Sequence, residues 1–126
     1  MTNKKLFTAS IIAGIAALFA IPTGISYGGV VCDNFISGTV GNDNLTGTPD
    51  ADCVDAFAGN DRIQTGDGAD IVDAGAGADR VTTGNADDLI YLGHDGVVDR
   101  VMCGEGNDTV VGADANDILR GCENVS

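Results

Sequence analysis

An aspartate recurs every nine residues through most of this chain, and no feature constrains its fold more. It stands at positions 43, 52, 61, 70, 79 and 88 and, after a slip of two residues, resumes at 99, 108 and 117. Two positions after each Asp sits an aliphatic residue: Leu45, Val54, Ile63, Val72, Val81, Ile90, Val101, Val110 and Leu119. Glycine precedes many of the aspartates, as in Gly59-Asn60-Asp61, Gly68-Ala69-Asp70 and Gly106-Asn107-Asp108. A helix of 3.6 residues per turn would scatter such residues around its circumference. A glycine-rich turn followed by a short strand keeps every Asp in a turn and every aliphatic side chain on one side. Two such units close one coil of about 18 residues. The expected fold is therefore all-β, a parallel β-roll or β-helix solenoid of nonapeptide repeats with two short strands per coil.

Composition agrees with a thin core. The 126 residues include 19 Gly and no Trp, with aromatics at 5%, so a conventional bulky core is out of reach. A ladder of Val, Ile and Leu needs no large rings. Charge narrows the partners. The net charge is −13, and past residue 28 the only cations are Arg62, Arg80, Arg100 and Arg120 against all 19 carboxylates. Such a chain repels phosphate, which argues against nucleic acid and against anionic membrane surfaces. It favours metal cations.

Residues 1–28 read as a secretory signal peptide, with Lys4 and Lys5 ahead of a short apolar run that ends at Pro22. That run is short of the roughly 20 residues a bilayer span wants, so no membrane span is expected after cleavage. The expected location is secreted or extracellular, with the periplasm or cell surface open. Residues 29–37 are expected to form an N-terminal cap, 38–121 the repeat array and 122–126 a C-terminal cap. Four cysteines in an exported chain suggest disulfides. Zinc is disfavoured, because there is no C-x-x-C and His94 is the only histidine. Cys103 and Cys122 are 19 residues apart and Cys32 and Cys53 are 21 apart, each close to one coil. The expected pairs are Cys32–Cys53 and Cys103–Cys122, stapling the two ends of the solenoid.

The units Thr65–Asp73 (TGDGADIVD), Ala74–Thr82 (AGAGADRVT) and Cys103–Val111 (CGEGNDTVV) resemble the hemolysin-type, or repeats-in-toxin, calcium-binding nonapeptide G-G-x-G-x-D-x-U-x, where U is aliphatic. The opening Gly38–Thr46 (GTVGNDNLT), followed by GTPDAD, is similar to the usual entry into such an array. The resemblance implies Ca2+ held between stacked turns, each ion sharing an Asp from each of two turns one coil apart. Pairs would be Asp43/Asp61, Asp61/Asp79 and Asp79/Asp99 on one edge, and Asp52/Asp70, Asp70/Asp88 and Asp88/Asp108 on the other. Asp117 is the last of the set. Carbonyls of turn glycines, among them Gly59, Gly66, Gly68, Gly75, Gly77, Gly104 and Gly106, would complete the oxygen ligands calcium prefers. The glycine two positions before the Asp is replaced by Asp50, Ala86 and Ala115, so those turns are expected to bind weakly or stay empty. In the irregular stretch Leu92–Met102, Asp95 competes with Asp99, and the form Asp-Arg-aliphatic favours Asp99.

Odd and even repeats present different outer faces. One carries the column Arg62, Arg80, Arg100; the other carries Ile71, Leu89, Tyr91 and Val111, a candidate contact surface for a protein partner or a second copy. An enzyme is not expected: neither H-E-x-x-H nor G-x-S-x-G occurs. The leading expectation is a small exported calcium-binding protein whose folding follows external calcium. The alternative is a structural or adhesive surface solenoid that calcium merely stabilises.

Overall fold

The computed structural model describes residues 25–27 and 30–126, with side-chain surroundings from Cys32 onward. Most of the expected leader lies outside the described residues. Thirteen short strands follow one another, with no helix among the described residues. Strands β1 (Ile25–Tyr27) and β2 (Val30–Cys32) form an antiparallel hairpin. From there the chain winds into a solenoid. Strands β4 (Asn44–Thr46), β6 (Arg62–Asp67), β8 (Arg80–Asn85), β10 (Arg100–Glu105) and β12 (Ile118–Arg120) make one parallel sheet. The other contains β3 (Asn34–Ser37), β5 (Asp52–Asp55), β7 (Ile71–Asp73), β9 (Leu89–Tyr91), β11 (Thr109–Val111) and β13 (Asn124–Val125). Successive strands of the chain alternate between the sheets. The expected solenoid is what forms.

Register follows the repeat. Ile63 pairs with Val81 and Val81 with Val101, while Val54, Val72, Ile90 and Val110 line up across the other sheet. These residues have 0–1% of their surface exposed, and they form the core with Ala56, Ala74, Leu92 and Cys103. Strand alternation sends their neighbours outward. At the ends of the stack Ile36, Leu45 and Leu119 are only partly buried, because each lacks a coil on one side. Strands within both expected cap segments join the sheets: β3 pairs with β5, and β13 pairs with β11.

Both expected disulfides are present, but only one for the expected reason. Cys103 points into the core, and Cys122 meets it from the last turn, with Cα atoms 5.3 Å apart. Cys32–Cys53 is not a stack of coil equivalents. The partner of Cys53 one coil away is Phe35. Cys53 faces outward beside the inward Val54, so the bond ties the end of β2 to the outer face of its sheet. That face differs from expectation in another way. Ile71, read as part of an exposed contact patch, is fully buried, as are the outward Cys53 and Asp55; Leu89, Tyr91 and Val111 are half-buried. Alternation correctly sends these side chains away from the core, but period alone does not say what lies over a face.

Candidate calcium sites in two columns of turns

The aspartates form two hydrogen-bonded ladders along the edges where the sheets meet. Each carboxylate accepts, through Oδ1, the backbone N–H of the Asp one coil earlier. On one edge, the N–H of Asp43, Asp61, Asp79 and Asp99 donates to Asp61 (2.7 Å), Asp79 (2.8 Å), Asp99 (2.8 Å) and Asp117 (2.9 Å) in turn. On the other, Asp52, Asp70 and Asp88 donate to Asp70 (2.8 Å), Asp88 (2.9 Å) and Asp108 (2.9 Å). At the end of this edge, where no tenth Asp follows, Glu123 Oε2 accepts from Asp108 N at 3.0 Å. Asp99, not Asp95, continues its ladder. Asp95 is turned outward, accepting from Gly77 N and Val97 N.

Only one oxygen of each carboxylate is used this way, and the fate of the second divides the turns. Oδ2 of Asp61, Asp70, Asp79, Asp88 and Asp108 is buried without a hydrogen-bond partner. A buried, unpaired carboxylate oxygen is costly. Three other turns, those of Asp43, Asp52 and Asp117, answer that cost with protein donors. Asp52 accepts from Thr48 N (2.7 Å), from the Thr48 hydroxyl and from Asn34 Nδ2. Asp43 accepts from Thr39 N (2.6 Å) and the Thr39 hydroxyl. Asp117 Oδ2 accepts from Asp114 N at 2.6 Å.

Backbone conformation divides the turns the same way. Two positions before each of these five column aspartates lies a residue with positive φ: Gly59 (141°), Gly68 (100°), Gly77 (131°), Ala86 (88°) and Gly106 (151°); Asp55, whose Oδ2 is also buried without a partner, lies outside the columns. Neither Gly41, Asp50 nor Ala115, at the matching positions before Asp43, Asp52 and Asp117, adopts it. In Gly77 the left-handed backbone and close stacking combine, since an added Cβ would meet the Gly59 carbonyl oxygen of the coil below. The substituted turns therefore separate. Those with Asp50 and Ala115 belong to the capped set, whereas Ala86, expected to weaken its turn, keeps the open geometry in spite of its Cβ.

Burial has an electrostatic consequence. Desolvation, opposed by the hydrogen bond from the Asp one coil earlier and aided by the neighbouring carboxylates, pushes Asp79 up to about 7. Asp70 is likewise driven chiefly by burial to about 7, and Asp88 and Asp99 to about 6. Asp61 and Asp108 are raised too, again mainly by desolvation. Columns of stacked, desolvated, half-satisfied carboxylates suit a cation.

These residues fit calcium. The donors are hard oxygens, the set that Ca2+ or Mg2+ takes and that soft-ligand metals avoid. No group of three or more His, Cys, Asp or Glu side chains converges among the described residues. An ion here would thus draw on the one or two carboxylates of stacked turns, with backbone carbonyls and water for the rest. The central pairs expected from sequence, Asp61/Asp79, Asp70/Asp88 and Asp88/Asp108, each join two orphaned oxygens. Asp43/Asp61, Asp52/Asp70 and Asp79/Asp99 join one. The Thr donors that cap Asp43 and Asp52 escaped the sequence reading, although a signal was there: Gly-Thr four residues ahead of Asp occurs twice, as GTVGND and GTPDAD. Glu123 left no trace in the nine-residue register, because it stands 15 residues after Asp108.

Parallel two-sheet winding, short strands and stacked Gly/Asp turns define a β-roll. Within that class, residues 33–63, 55–90 and 98–121 match the RTX calcium-binding nonapeptide repeat in four copies. The chain belongs to this family, whose repeats bind Ca2+. No curated protein gives a significant match.

Proposed function

We propose that this protein is an exported, non-catalytic calcium binder whose β-roll is stabilised, and in its central coils completed, by external Ca2+. One observation carries the reading: five buried carboxylate oxygens, stacked in two columns, have no partner within the chain. Filling those columns with cations removes both the desolvation penalty and the like-charge repulsion. The ion supplies positive charge where the chain has none. Asp61, Asp70, Asp79, Asp88 and Asp108 hold it, while the inward aliphatic ladder fixes the spacing between turns. Extracellular calcium modules bind with Kd of about 10⁻⁴–10⁻³ M. At ten times Kd each site adds about 1.4 kcal/mol, so filling all the stacked Asp pairs contributes roughly 8 kcal/mol, comparable to the whole stability of many small domains. The apparent leader at residues 1–28 and the two disulfides support export.

Circular dichroism of the mature protein in excess chelator and in millimolar Ca2+ tests this. The expected result is a strong, calcium-dependent gain in β-signal and melting temperature, absent with Mg2+ at equal concentration. An identical β-signal and melting temperature with and without calcium would sink the coupling. The adhesive alternative would rest on the half-buried Leu89, Tyr91 and Val111, since Ile71, on the strand beside them, is buried.

A further inference from the structure

Every arginine of the chain lies on one outer face. Arg62, Arg80 and Arg100 stand side by side on β6, β8 and β10 in direct register, and Arg120 on β12 lies two residues further along, beside Met102. Adjacent strands are about 4.8 Å apart, so the guanidinium groups start from a column of that repeat. All four are exposed, and among the described residues no carboxylate pairs with any of them; the one ion pair is His94–Asp114, elsewhere. Like charges directly opposite on neighbouring strands destabilise a sheet. Here they persist in a chain where carboxylates outnumber arginines almost five to one. Together with Gln64, Thr82 and the apolar Met102 and Ile118, they line a shallow groove of about 430 Å³ that crosses the strands.

We infer that this groove binds a linear acidic polysaccharide running along the solenoid axis. Arg takes carboxylates bidentately through its planar fork. A sugar ring is about as long as one strand spacing, so a polyuronate crossing the strands can bring carboxylates to the arginine column at a commensurate repeat. Gln64 and Thr82 offer amide and hydroxyl contacts to sugar hydroxyls, and Met102 and Ile118 offer apolar surface to ring faces. Single-stranded nucleic acid would need aromatic stacking platforms, and this face has none; duplex DNA, with a charge every 1.7 Å or so, would be repelled by the acidic turns on either side. A second copy meeting this face symmetrically would set arginines against arginines. The inference goes beyond calcium binding, since the groove shares no residue with the carboxylate columns.

Fluorescence anisotropy of calcium-loaded protein with a labelled galacturonate hexamer tests it. Binding is expected, weakening steeply with salt, at least tenfold weaker for the galacturonate dimer, and at least tenfold weaker in Arg80→Gln/Arg100→Gln. Calcium-dependent dichroism of that variant should match the wild type. If the double variant does not fold, Arg100→Lys, which keeps the charge but loses the fork, should still weaken binding several-fold. The inference is overturned if the hexamer does not bind, if the variants bind it equally (calcium bridging alone), or if a six-nucleotide single-stranded DNA binds as tightly. Loss of calcium-induced folding in the wild type would instead count against the calcium reading.

Discussion

Two sets of turns share one Gly/Asp skeleton and differ in how the Asp is satisfied. In the entry turns, Thr39 and Thr48 supply amide and hydroxyl donors to Asp43 and Asp52, and the backbone two positions earlier is ordinary. In the central turns that backbone is left-handed, no donor reaches Oδ2, and the oxygen is buried and unpaired. The difference teaches how a solenoid of this kind ends. A coil with a neighbour on only one side cannot share an ion both ways, so the first aspartates are closed by protein groups and five of the inner ones are left open for cations. Asp117, in the last full turn, is closed by Asp114 N in the same manner.

Removing open carboxylates should break the comparison most visibly. Asp70→Ala/Asp79→Ala removes one open Asp from each column, and each serves the turns above and below. In 10 mM Ca2+ we expect a loss of roughly 5 kcal/mol and of several bound ions by calorimetry. In chelator the loss should be much smaller, because the two desolvated carboxylates that go offset the acceptors lost to the Asp52 and Asp61 amides. Asp52→Ala should behave oppositely, losing stability equally with and without calcium and keeping nearly all bound ions. Equal calcium losses in both variants would erase the distinction.

Acidity probes the open set next. The open carboxylates have raised pKa values in the fold, about 7 for Asp70 and Asp79 and about 6 for Asp88. A raised value means the folded state holds its protons more tightly than the unfolded chain does. For the metal-free protein, the resulting stability is fully present below about pH 4 and is lost as pH rises through 6 and 7. The calcium-loaded protein should show the reverse trend between pH 5 and 7.5, since protons compete with ions for the same oxygens. Thermal melts in chelator and in calcium across that range should therefore cross. Parallel curves would mean that the buried carboxylates are not where calcium acts.

Much of this was legible in the chain itself. The nine-residue Asp and the aliphatic residue two positions on specified the winding, the inward ladder of Val54, Val72, Ile90 and Val110, and the arginine column on a single face. Asp99 was distinguishable from Asp95 by the Arg-aliphatic pair that follows it. What the pattern could not carry was anything dependent on which atoms meet. Period placed Asp52 and Asp70 as equivalents, but only the structure brings the Thr48 amide to one and leaves the other open. Spacing likewise identified the partner of Cys32 without revealing that β2 reaches Cys53 over the outer face. Ile71 obeyed alternation and pointed away from the core, yet it is buried.

Smaller effects sharpen the division at single caps. Thr48→Ala deletes the hydroxyl that bonds Asp52 Oδ1, Asp50 N and Asn34 Nδ2 but keeps the backbone donor. The expected cost is about 1 kcal/mol, the usual value for losing a side-chain cap. It should be independent of calcium in paired denaturant titrations; a calcium-dependent cost would move Asp52 into the open set.

The smallest expected change bears on the one open turn without glycine. Ala86 holds φ of 88°, where a Cβ crowds the backbone at a cost of about 1–2 kcal/mol. Ala86→Gly relieves that crowding but gives the unfolded chain more freedom, worth roughly 0.5–1 kcal/mol in the other direction. A net gain of about 0.5 kcal/mol is expected, which raises the melting temperature by about 2–4 °C. The number of bound calcium ions should not change, because Asp88 Oδ2 is already buried and free of partners with alanine in place. Were the variant instead to bind one additional ion, the turn would be closed in the natural chain. Left-handed backbone and open carboxylate would then no longer go together, and glycine itself, rather than the conformation it favours, would decide which turns take calcium.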